Sequence, residues 1–148
     1  MDNSLRELYQ EMILEHARKP RNFGVLDGAN HHAHGHNPLC GDEITVHAQL
    51  DEAGNVADVK FEGQGCAIST AAASLMTDMV KGKPMAEVET MFENFHSAVT
   101  GKGGEENLPT KLKVFAGVKD YPMRVKCATL AWHTLHAAMH NEAEVTTE

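Results

Sequence analysis

Two stretches of the chain alternate between apolar and polar residues. From Glu43 to Leu50, Ile44, Val46, Ala48 and Leu50 alternate with Thr45, His47 and Gln49. From Val56 to Gly63, Ala57, Val59 and Phe61 alternate with Asp58, Lys60 and Glu62. A period of two sends successive side chains to opposite faces, so both stretches read as strands with one buried face. Asp51-Glu-Ala-Gly-Asn55 lies between them as a turn in which Gly54 or Asn55 takes positive φ, making an antiparallel hairpin. The Gly-, Asn- and His-rich segment Gly24 to His36 reads as a polar strand that either edge of the hairpin could accept as a third.

Elsewhere the apolar positions recur at helical spacing. Ser4 with Glu7 forms a capping box for a first helix whose stripe is Leu5, Leu8, Met12 and Ile13, and Pro20 ends it. Cys66 to Val80 is a second helix with Ile68, Ala72, Leu75 and Met79 as its buried stripe. Pro84 opens a third, Met85 to Val99, with Met91, Phe92 and Phe95 in the core. Gly101-Lys-Gly-Gly104 breaks the chain, Leu108 to Ala116 is a short helix or turn, and Met123 to Asn141 is the last helix, burying Leu130, Ala131, Leu135 and Ala138. The acidic tail 142–148 has no core residue beyond Val145 and is expected to fray. No repeat or linker interrupts residues 1–148. The expectation is one α+β domain, a small antiparallel sheet of about three strands packed on one face by several helices.

The bulk numbers narrow the function. The 148 residues are 42% hydrophobic and 23% charged, with a formal net charge of −8. That balance argues against nucleic acid as a partner, because such binding neutralises phosphates. No apolar run is long enough for a membrane helix, and the N-terminus lacks a basic region followed by an apolar one, so no membrane association and a cytoplasmic location are expected. The basic run Arg18-Lys-Pro-Arg21 reads as a solvated helix end favoured by the helix dipole, with a docking surface for an acidic partner as the sharper alternative. His31, His32, His34 and His36 form a dense tract, but no third and fourth ligand is fixed near His34 and His36. A polar strand is the simpler reading.

Three cysteines cannot all pair within one chain, which turns attention to metal binding or thiol chemistry. Each sits where an element begins. Cys40 and Asp42 lie in Asn37-Pro-Leu-Cys-Gly-Asp42, Cys66 follows Gly63-Gln-Gly65 at a helix start, and Cys127 lies near the start of the last helix. Cys40 and Asp42, two apart, would share a face of an extended strand. Helix N-termini lower the thiol pKa of Cys66 and, less strongly, Cys127. Three thiolates and a carboxylate suffice for tetrahedral zinc or for an iron–sulfur cluster. Other chemistries fail: Gly63-Gln-Gly65 lacks the third glycine of a dinucleotide fingerprint, no Walker lysine follows a glycine loop, and the zinc deaminase ligand pattern is absent.

Five segments carry a resemblance: Leu8-Tyr-Gln-Glu-Met-Ile-Leu-Glu-His16, Lys19-Pro-Arg-Asn22, Asn37-Pro-Leu-Cys-Gly-Asp42, Phe61-Glu-Gly-Gln-Gly-Cys-Ala-Ile-Ser69 and Arg124-Val-Lys-Cys-Ala-Thr-Leu-Ala-Trp132. Together they resemble the SufU branch of the IscU/NifU-like iron–sulfur assembly family over nearly the whole chain. The resemblance implies a SufE/IscU-like fold and convergence of Cys40, Asp42, Cys66 and Cys127 on one exposed site. Scaffolds resembling IscU carry a histidine before the third cysteine, where this chain has Lys126, and the SufU branch carries an insertion, placed here at 101–116. The implied function is zinc-dependent sulfur transfer from a cysteine desulfurase similar to SufS to downstream SUF assembly proteins. In it Cys40 accepts the sulfur after a partner histidine takes its place on zinc. A scaffold holding a transient iron–sulfur cluster on the same ligands is the alternative, and a non-catalytic zinc-stabilised adaptor is a third reading.

Overall fold

The two alternating stretches form the centre of the sheet in the computed structural model, which describes residues 3–146. Strand β2 (Asp42–Leu50) pairs antiparallel with β3 (Val56–Gln64), and β1 (His31–Asn37) joins the free edge of β2, also antiparallel. Gly54 takes positive φ in the turn, where Asp51 Oδ1 accepts from the backbone N–H groups of Ala53 and Asn55. Ile44, Val46, Ala48, Val59 and Phe61 are buried as their alternation requires. Ala57 departs from the pattern. The register slips between Gln49 and Leu50, so Leu50 faces Val56, and the extra residue on β3 puts Val56 into the core and leaves Ala57 exposed.

The sheet has four strands, not three, and it is mixed. Glu144–Thr146 forms β4, which pairs parallel to β1 and completes the order β3-β2-β1-β4. Within the tail expected to fray, 144–146 are held in a strand: Val145 is half-buried against Ala33, Ala137 and Ala138, and the edge of β1 supplies the backbone partners, while 147–148 lie outside the described residues. Along β1, Ala33, Gly35 and Asn37 are buried while His32, His34 and His36 lie on the other face.

Among the described residues, four α-helices and two 3-10 segments, Glu105–Asn107 and Thr110–Asp120, accompany the sheet. α1 spans Asn3–Arg18, and the capping expected of the Ser4 side chain lies outside the described residues. Its packed residues are Tyr9, Met12 and Ile13; Leu5 and Leu8 are exposed, contrary to the expected stripe. The shift follows from α2, on which α1 lies, with His16 Nδ1 2.7 Å from the buried Ser74 Oγ. α2 (Ala67–Val80) is buried on far more than one stripe, from Ala71 through Thr77, because it is enclosed by α1, α4 and the sheet. α3 (Met85–Val99) buries Phe95 completely and Met91 and Phe92 in part. The 3-10 segment Thr110–Asp120 sends Leu112 and Phe115 into the same core, and α4 (Pro122–Met139) adds Leu130, Trp132 and Leu135. No helix among the described residues is long and apolar enough to cross a membrane.

Candidate metal centre

Three chain turns meet at one end of the sheet. β1 ends at Asn37 and β2 begins at Asp42, so the residues between form a tight turn that needs Gly41 at φ 71°. Cys40 sits in this turn and is exposed, whereas Asp42 is fully buried. The turn, not a shared strand face, brings Cys40 and Asp42 together.

Cys66 is the N-cap of α2. Its Sγ accepts from the Ser69 N–H at 3.4 Å, and its own N–H donates to Asp42 Oδ1 at 2.9 Å. Cys66 Sγ lies 4.0 Å from Asp42 Oδ2. Gly65 permits this approach, since a Cβ there would meet the Ser69 hydroxyl and come within 2.8 Å of Asp42 Oδ1. Cys127, in the second turn of α4, is buried with Sγ 3.6 Å from Cys40 Sγ. The ligand atoms of Cys40, Asp42 and Cys127 all lie within 4.8 Å of one another. Cys40, Asp42 and Cys127 thus form one candidate ligand group, and Cys66 stands beside it against Asp42.

The thiols differ in acidity. A hydrogen bond from Cys127, helped by the backbone N–H groups of Ser69 and Ile68, outweighs burial and brings the Cys66 thiol down to about 6. Cys127 goes the other way, pushed far above the ordinary thiol range because it holds its proton for Cys66 and is buried. After the Cys127 hydrogen bond, the Ser69 and Ile68 N–H groups at the start of α2 add to the lowering at Cys66, whereas Cys127, in the second turn of α4, shows no lowering.

Asn37 completes the site and was not singled out. It is fully buried on the inward face of β1, its Nδ2 is 3.8 Å from Cys127 Sγ, and its Oδ1 has no hydrogen-bond partner among the described residues. The signal available in the sequence was a polar residue in phase with the inward Ala33 and Gly35.

The donor set fits a divalent ion. Asp42 is a buried carboxylate with no ion pair to a basic side chain among the described residues, and three sulfur atoms surround it. A cation supplies the compensation that such a group otherwise lacks. Thiolate and carboxylate together accept zinc and iron alike. The His-rich tract is elsewhere, on the outer face of the sheet. There His32 Nδ1 lies 2.7 Å from His47 Nδ1, His47 Nε2 2.9 Å from Glu62 Oε1 and His34 Nδ1 3.1 Å from Thr45 Oγ1. These contacts satisfy a polar sheet face, and no three of these groups converge as ligands among the described residues.

The chain is similar to known proteins over most of its length. The NifU-like N terminal domain family matches residues 8–128. The zinc-dependent sulfurtransferase SufU of Bacillus subtilis (strain 168) is 38% identical over 140 residues, covering 94% of each chain. The iron–sulfur cluster assembly scaffold protein IscU of Thermotoga maritima is 39% identical over 132 residues, covering 89% of this chain and 92% of its own. Among solved structures, the SUF-system scaffold protein FiSufU of Fervidobacterium islandicum AW-1 superposes with a TM-score of 0.83 at 37% identity, covering 90% of this chain and 98% of its own.

Proposed function

Because the chain belongs to the NifU-like N-terminal domain family, whose members serve iron–sulfur cluster assembly, we propose that it is a zinc-dependent sulfurtransferase that takes persulfide sulfur from a cysteine desulfurase. Cys40, Asp42, Cys66 and Cys127 are the proposed zinc ligands. Zinc there would stabilise the thiolate forms and hold the three chain turns together.

One contrast carries the reading: Cys40 is exposed on a glycine-containing turn, while Asp42 and Cys127 are buried behind it. A donor enzyme's persulfide can reach Cys40 without disturbing the buried donors. In the transfer, the Cys40 thiolate attacks the outer sulfur of the desulfurase persulfide. A new S–S bond forms on Cys40, the desulfurase S–S bond breaks, and its electron pair leaves on the desulfurase cysteine as a thiolate. No external oxidant is required, and the sulfur passes on to downstream SUF assembly proteins.

The scaffold reading keeps the same four residues and draws support from the relatives named as IscU scaffolds at similar identity. The deciding experiment is desulfurase turnover with a SufS-type enzyme, with and without the zinc-loaded protein under reducing conditions. Strong acceleration that disappears in Cys40→Ser is expected. Full acceptance by Cys40→Ser would remove Cys40 from its role, and no acceleration by the wild type would leave the scaffold as the working account.

A further inference from the structure

A second group of ligating side chains lies on the face where α3 meets the C-terminal end of α4. His136 and His140 are four residues apart, one helical turn, and both reach Glu89 of α3. His140 Nε2 is 2.6 Å from Glu89 Oε1, His136 Nδ1 is 3.1 Å from Glu89 Oε2, and the two rings stand 4.4 Å apart. One ligand atom from each of the three lies within 4.8 Å of the others. His136 is nine residues beyond Cys127, about 13 Å along the helix at 1.5 Å per residue. The group is separate from the cysteines.

An ordinary cluster of ion pairs leaves one feature unexplained. His136 Nδ1 is buried and makes no hydrogen bond among the described residues, although a carboxylate oxygen is only 3.1 Å away. The oxygen stands near the ring nitrogen but not where an N–H would point to it. An ion between them would satisfy both lone pairs at once. Side-chain exposures of 27% for Glu89, 39% for His136 and 46% for His140 leave the group open to solvent. Phe92, one turn from Glu89, walls one side with its ring 5.5 Å from His136.

The geometry points to a second metal site, formed by Glu89, His136 and His140, for a divalent first-row transition ion. Two imidazoles and one carboxylate suit zinc, iron(II), cobalt or nickel and leave coordination positions for water or a further ligand. His136 in the last turn of α4 and His140 at its C-cap keep the four-residue spacing that suits zinc on a helix, and the carboxylate from the neighbouring helix supplies the third donor. Binding would clamp α3 to α4.

Cobalt(II) separates the two sites because thiolate ligation gives an intense near-ultraviolet charge-transfer band and nitrogen–oxygen ligation does not. The full chain is titrated with cobalt(II), metal bound is counted by equilibrium dialysis, and spectra are recorded at each point. Two equivalents are expected, the second adding no thiolate band. His140→Ala and Glu89→Gln, both at partly exposed positions, are each expected to weaken the second equivalent by at least about tenfold, the range that loss of even an outer-shell partner produces. The triple variant His32→Ala/His34→Ala/His36→Ala should retain it. Binding of the thiolate equivalent alone would overturn the proposal, as would a second equivalent that survives both ligand variants or disappears with the triple variant. A missing thiolate band with the second equivalent intact would instead count against the cysteine site and leave this one standing.

Discussion

Asp42 has one structural contact and one proposed role as a ligand, and its two oxygens divide them. Oδ1 accepts the Cys66 N–H at 2.9 Å and so fixes the start of α2, while Oδ2 lies 4.0 Å from Cys66 Sγ on the side of the cysteines. Substitutions separate the functions. Asp42→Asn keeps an acceptor for the Cys66 N–H but removes the proposed anionic ligand; Asp42→Ala removes both and leaves a part-buried donor without its partner, which costs about 1 kcal/mol. In a zinc transferase, both variants are expected to lose zinc to a competing chelator faster than the wild type, and only Asp42→Ala to unfold at clearly lower urea in the metal-free state. A scaffold would behave otherwise, since removal of a weak oxygen ligand would trap a stable brown cluster in the Ala variant. Absorbance after iron and sulfide reconstitution reads that outcome directly.

At the scale of elements, the site depends on how closely α4 lies on β1, and Gly35 sets that distance. A Cβ at Gly35 would run into the Thr134 hydroxyl and come within 3.1 Å of Leu130 Cδ1. Thr134 has little room to move, being fully buried with its Oγ1 donating to the Leu130 carbonyl at 2.7 Å. Gly35→Ala is therefore expected to cost about 1–3 kcal/mol through overpacking, and Thr134→Ala in that background to restore part of it, measured by urea unfolding. The hairpin that carries β1 was legible because alternation over eight residues reports one buried face whatever covers it. The stripe of α1 was not, because two apolar stripes overlap there and the choice belongs to α2, more than fifty residues away. β4 escaped for a related reason: Glu144-Val-Thr146 has one apolar residue, and its strand exists because β1 offers an unpaired edge. The site divides along the same line. Cys40 and Asp42 are two residues apart in sequence and Cys66 follows a glycine turn, but Cys127 meets them only through the lie of α4, and Asn37 gave no sign of facing a thiol.

For the molecule as a whole, the question is whether the metal holds the fold or the fold holds the metal. The main core joins Val46, Val59, Leu75, Phe95, Phe115, Trp132 and Leu135 from the sheet, the 3-10 segment and three of the helices, and none of the four site residues belongs to it. Cys40 and Cys66 are exposed, and only Asp42 and Cys127 reach the interior. A chain of this length with such a core does not require a metal to fold, unlike the short domains in which metal binding and folding are one event. Zinc binding still adds stability by linkage, about 4 kcal/mol when free metal exceeds the dissociation constant a thousandfold. Removal of zinc by a strong chelator is therefore expected to lower the thermal midpoint by roughly 5–15 °C while leaving one cooperative transition and an unchanged far-ultraviolet circular dichroism spectrum. Loss of the cooperative transition on chelation would make the ion a structural element and restore the zinc-stabilised adaptor as the better account. A retained transition leaves the ligands free to exchange, and a fold that tolerates an open coordination position is what sulfur acceptance at Cys40 needs.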